Sequence, residues 1–228
     1  MYWQCTAEPG YNTTCPKGGS MYHRITPSYQ TINESLERAI PPMDQQIADQ
    51  AIKTLATLAS RSAPWFCAVG FHLPHLPELV PERFVNLYPE EEVLLPDNQF
   101  APVGMPAVAW SNSGELRSQY SDARALNSSG RINSTLPPDF TRALRRHYYG
   151  AVSYLDHNVG RVLAALKDQG QEDDTIAILW GDHGCDCAPP FTSPLQAADK
   201  HACDPQISWG SMESGARSRS SNWPCIRF

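Results

Sequence analysis

The chain has 228 residues, 41% hydrophobic and 18% charged, enough apolar material for a buried core and far from disordered, collagen-like or coiled-coil compositions. Lysine and arginine number 18 against 24 aspartates and glutamates, a net charge of −6, so no basic field exists to hold a nucleic-acid backbone and nucleic acid is not expected as a partner. The longest apolar run, 65–71, is seven residues long, far short of the roughly 20 that a membrane-spanning helix needs.

Residues 1–40 carry turn-rich pieces without a sustained period and read as surface loop, with order beginning near Pro41. Asp44 is placed to cap a helix over 44–60, in which Ile47, Ala51, Leu55 and Leu58 recur at spacings of three and four. The run 65–71 (WFCAVGF) has the length of a strand and is apolar on both faces, as a parallel strand covered by helices would be. A loop follows, His72 to Pro77 (HLPHLP), stiffened by two prolines at the carboxyl end of that strand, where open α/β sheets place ligands. Residues 89–136, rich in Pro, Ser, Asn and Gly, read as a long irregular connection.

Periodicity then returns over 137–170, a helix with Phe140, Leu144, Tyr148, Ala151, Leu155, Val159, Val162 and Leu166 on the helical repeat and Gly170 at its stop. Its Arg142, Arg145 and Arg146 read as a solvated face, and its Tyr148, Tyr149 and Tyr154 as packing against a sheet. The β-branched and apolar run Thr175 to Trp180 predicts a second strand, ended by Gly181, Asp182, His183 and Gly184. Strand, helix, strand predicts a parallel α/β sheet. Residues 185–228 show no period and read as a divergent, unstructured tail, dividing the chain into 1–184 and 185–228.

Seven cysteines are an odd number, so at least one is free or pairs outside the chain. Sequons at Asn12, Asn33, Asn127 and Asn133 lean toward the secretory route, yet the residues after Met1 lack the basic and apolar regions of a signal peptide. The two observations agree if the true amino terminus precedes this sequence, so a fragment is expected.

Chemistry concentrates at the two strand ends. Asp182 and His183 stand between glycines, whose backbone freedom lets two side chains turn toward one point, and a carboxylate there suits a hard cation. Equally, Asp182 can cap a following helix while His183 makes a surface hydrogen bond. His72 and His75 are either a binding pair or a turn whose imidazoles are satisfied by backbone groups. His183, Cys185, Cys187, His201 and Cys203 offer a further option, a small soft-metal site, although their spacing is not a standard zinc pattern.

Three segments in this order, 68–77 (AVGFHLPHLP), 149–156 (YGAVSYLD) with 159–161 (VGR), and 178–184 (ILWGDHG), resemble the sulfatases over roughly residues 30–184. The nearest likeness is to those members that remove sulfate from iduronate residues of dermatan and heparan sulfate. The resemblance implies an alkaline-phosphatase-like α/β fold, a parallel-sheet sandwich that is incomplete here, lysosomal action on a sulfated glycosaminoglycan, and a Ca2+ ion. It makes His75, Asp182 and His183 the catalytic candidates. Asp182 and His183 correspond to calcium ligands, and His75 to the histidine that contacts the substrate sulfate. The family nucleophile is a formylglycine made from the cysteine of a C-x-P-S-R motif, and no cysteine of this chain stands in that motif. The early paired aspartates of the calcium shell are also absent, leaving two of six to eight ligands, so the chain as written is expected to be inactive. Two alternatives stand beside this one. Phosphatases and phosphodiesterases of the same superfold use zinc and a Ser or Thr nucleophile, and a sulfatase-derived protein can bind sulfated glycans without turnover.

Overall fold

The computed structural model describes residues 27–97 and 99–181. Two strands, β1 (Tyr29–Ile32) and β2 (Glu78–Pro81), pair in parallel with Tyr29 opposite Glu78 and Ile32 opposite Pro81. Between them in the chain lie α1 (Glu34–Ala39) and α2 (Met43–Ala59), and after β2 comes the short α3 (Glu82–Val85). The connection that follows contains two 3-10 turns, Glu90–Glu92 and Ala107–Ala109, and two short helices, α4 (Gly114–Gln119) and α5 (Ser121–Ala125). The long α6 (Pro138–Asp168) packs on α2, on α3 and on both strands.

The physics of α6 is plain from its ends. Pro138 occupies the first turn, where its missing N–H costs nothing. Gly170, at φ +65°, donates from its N–H to Lys167 O at 2.8 Å while Gln171 N–H reaches Leu166 O at 3.2 Å, the paired bonds of a Schellman stop. On the buried side, Val80, Val85, Ala151 and Tyr154 form one apolar cluster with Leu73, and Leu116, Tyr120, Ala123, Leu136 and Leu144 form another. Ion pairs tie the elements at their edges, Glu37 of α1 to Arg83 of α3 and Asp49 of α2 to Arg161 of α6. No helix among the described residues is long and apolar enough to cross a membrane.

Several expectations need correction. The first forty residues are not all loop, because 29–39 contribute β1 and α1. Four residues of strand carry too little pattern to be seen, and β1 exists through its pairing with a strand some fifty positions later. Neither 65–71 nor 175–180 is hydrogen-bonded as a strand among the described residues, and Phe66, Ile176, Ile178 and Trp180 are 86%, 90%, 71% and 70% exposed. An apolar run acquires strand structure only when a neighbour completes its ladder. Asp44 does not cap α2, whose N-cap is Pro42 with no side-chain bond. Arg145 and Arg146 are not a solvated face. Arg145 is buried and donates to the Tyr149 hydroxyl at 2.7 Å, and Arg146 donates through Nε to Tyr88 O at 2.7 Å. The 89–136 connection is not irregular throughout, since it holds α4 and α5, and Leu116, Tyr120 and Ala123 of this stretch enter the core.

Candidate active site at the histidine loop

The loop between α2 and β2 alternates polar and apolar residues, and the apolar ones decide its shape. Leu73 is buried in the cluster around Tyr154, whereas Leu76 packs on the other cluster beside Tyr29 and Phe140. Both proline bonds, Leu73-Pro74 and Leu76-Pro77, are cis. With the leucines committed to the core, His72 and His75 are left as neighbours, their ring centroids 4.9 Å apart. The base of the loop is fixed by Asp44, whose two carboxylate oxygens accept the backbone N–H groups of His72 and Leu73, each at 2.9 Å. Desolvation pushes the Asp44 carboxyl above its ordinary pKa, and these two bonds act against that rise.

His75 is half exposed. Its Nδ1 donates to Leu76 O at 2.7 Å, since a carbonyl can only accept, and its Nε2 faces Glu115 Oε1 of α4 at 3.7 Å. His75 is therefore a cationic donor when protonated, on the surface of a loop anchored from beneath. Sequence reasoning singled out His75 but connected neither Asp44 to the base of its loop nor Glu115 to its ring. Asp44 reads as a helix cap, and Glu115 lies in a stretch without period. A surface depression of about 550 Å³, lined by Glu90, Glu91, Val93, Leu94, Leu95 and Arg142, does not include the histidine loop.

Asp182 and His183 lie outside the described residues, as do Cys185, Cys187, His201 and Cys203. Of the 181–184 turn, Gly181 alone is among the described residues. Among the described residues no group of three or more His, Cys, Asp and Glu side chains could hold a metal ion. Calcium requires six to eight oxygens. The described donors do not form such a shell. Cys67 is a free, half-buried thiol.

The family model described as Sulfatase matches residues 4–214. This chain belongs to the sulfatase family. Sulfatase domains have the alkaline-phosphatase-like fold, in keeping with the helices and parallel strand pair described above. Among sulfatase relatives, the iduronate 2-sulfatase of Homo sapiens is 40% identical over 141 residues, covering 62% of this chain and 25% of that protein. The iduronate 2-sulfatase of Mus musculus is 38% identical over the same shares. A sulfatase of Formosa agariphila is 30% identical over 164 residues, covering 64% of this chain and 27% of the relative. This sulfatase chain thus spans about a quarter of the length of the curated relatives it matches.

Proposed function

We propose that this chain carries part of the catalytic site of a sulfuric ester hydrolase that removes the 2-O-sulfate from iduronate residues of dermatan and heparan sulfate. The observation that carries the reading is the 40% identity shared with the iduronate 2-sulfatase of Homo sapiens over 141 residues; the anchored histidine loop adds a donor suited to an anion. In this reading protonated His75 donates a charge-assisted hydrogen bond to a sulfate oxygen. Asp182 supplies a hard oxygen ligand, and His183 a second ligand, to a calcium ion. Such an ion would polarise a sulfate oxygen when bound. The nucleophile, a formylglycine in the family, has no C-x-P-S-R motif among these 228 residues, so this chain alone binds substrate without hydrolysing it. The same reading places the protein in the lysosome after glycosylation in the secretory route. Asn33, Asn127 and Asn133 are exposed, as glycan carriers must be.

The test is calorimetric binding of a disaccharide containing 2-O-sulfated iduronate, with released sulfate measured in parallel. Binding is expected, reduced about tenfold or more in H75A by loss of a charge-assisted bond, with no sulfate released. Absence of binding sinks the substrate assignment, and sulfate release overturns the inactivity of the chain. Binding of calcium to the chain, measured without substrate, should fall in D182N; calcium affinity that is indifferent to D182N counts against the ligand assignment.

A further inference from the structure

Glu115 belongs to a segment that carries no sequence pattern, yet the core brings it to His75. Its neighbour Leu116 is buried in the same apolar cluster that Leu76, the neighbour of His75, packs against. Two adjacent pairs, 75–76 and 115–116, are therefore held by one piece of core, and the two polar members meet at its rim. The Nδ1 of His75 is committed to Leu76 O, so Nε2 is the nitrogen that faces Glu115 Oε1 at 3.7 Å. A neutral imidazole would turn a lone pair toward that carboxylate, whereas an imidazolium turns an N–H toward it. Glu115 itself is steadied from behind. The Tyr120 hydroxyl, on a fully buried ring one helical turn further on, donates to the same oxygen at 3.3 Å.

The geometry points to Glu115 as the positioning residue of His75: it holds the ring in place, with Nε2 at the rim of the loop where an anionic sulfate ester would meet it. This rests on the sulfatase reading for its purpose, although not for its physics. Glu115 is not a catalytic residue, because a carboxylate touching the sulfate would repel it. The other titratable groups around the pair are His72, whose ring lies 4.9 Å from that of His75, and Tyr120. Burial, with Glu115 and then Glu78 beside it, pushes the Tyr120 hydroxyl upward, so it keeps its proton and stays a donor. Asp44 meets His72 through the backbone N–H alone.

The experiment is a titration of the histidines in the whole chain by NMR, on protein labelled in its imidazoles, for the wild type, E115Q and E115D. Removing the carboxylate is expected to cost the His75 ring its wild-type Nε2 resonance position, since the group that faces that nitrogen at 3.7 Å is gone. E115D, which keeps the charge, should restore most of it. His147, which lies in α6 and bonds Thr31, serves as the internal control and should not move. Identical His75 curves in wild type and E115Q overturn the inference, as does a loss that E115D fails to reverse. Inorganic sulfate, added at a pH where His75 is protonated, separates the two claims. If the His75 resonance ignores sulfate while E115Q still displaces it, the positioning role stands and the sulfate contact falls.

Discussion

Glu78 shows what a buried position in a strand demands of a single side chain. It follows the histidine loop, is 2% exposed, and its Oε2 accepts no hydrogen bond among the described residues. Burial alone pushes its carboxyl well above the ordinary carboxylate range. A carboxyl whose folded pKa is raised leaves stability complete below its unfolded value and erodes it as pH climbs toward the folded one. E78Q keeps the shape and removes the ionisation, so we expect it to raise stability by about 1–3 kcal/mol at pH 8 and to change little near pH 4. Urea unfolding at the two pH values checks this; an equal effect at both would contradict it. His147 works in the opposite direction. Its Nδ1 donates to Ala143 O at 2.8 Å, leaving Nε2 to accept from Thr31 Oγ1 at 2.9 Å, and burial holds its pKa below 6.5. Its contribution is complete above pH 6.5 and is lost as pH falls below that value.

Two glycines in α6 have opposite meanings that their shared residue type hides. A Cβ on Gly150 would meet Val80 Cγ1 at 3.2 Å, Phe84 O at 3.3 Å and Val85 Cα at 3.3 Å. Two of these atoms are backbone in α3, which Arg83 ties to Glu37, so they have little room to give. Gly160 has no atom within 4 Å of such a Cβ. G160A should therefore gain about 0.5–1 kcal/mol from helix propensity, whereas G150A should lose about 1 kcal/mol net as crowding exceeds that gain. Denaturant melts of both variants decide it, and a gain in G150A equal to that in G160A would show that α3 yields. The helix itself was readable from its period and from Gly170. The buried face, which runs through Leu144, His147, Ala151, Tyr154 and Asn158, is turned from the apolar stripe that includes Tyr148, Leu155 and Val159. Which stripe is innermost depends on where α2 and β2 lie, and periodicity holds no information on that.

The chain as a whole keeps two apolar segments at its surface. Phe66 in one, and Ile176, Ile178 and Trp180 in the other, are all at least 70% exposed, beside backbone that makes no ladder among the described residues. Such segments invite pairing with another chain. The isolated protein is expected to self-associate and to bind apolar dyes. The double variant I176K/I178K should reduce both while shifting unfolding stability by no more than about 0.5 kcal/mol, as surface changes do. Light scattering across a concentration series reads the first effect; a double variant that associates as strongly as the wild type removes these residues from the cause.

Sequence by itself was sufficient for whatever depends on neighbours along the chain. The helices at 43–59 and 138–168, the stop at Gly170 and the proline-braced pair of histidines each follow from spacing and from the backbone limits of Pro and Gly. Motif order also pointed to the sulfatases. What tertiary structure alone decided is which distant residues meet: Tyr29 with Glu78 in the sheet, Asp44 under the loop, Glu115 beside His75. Those meetings are set when Leu73, Leu76 and Leu116 choose their clusters, a competition for buried volume among residues far apart in the chain. Local pattern carries no term for that competition.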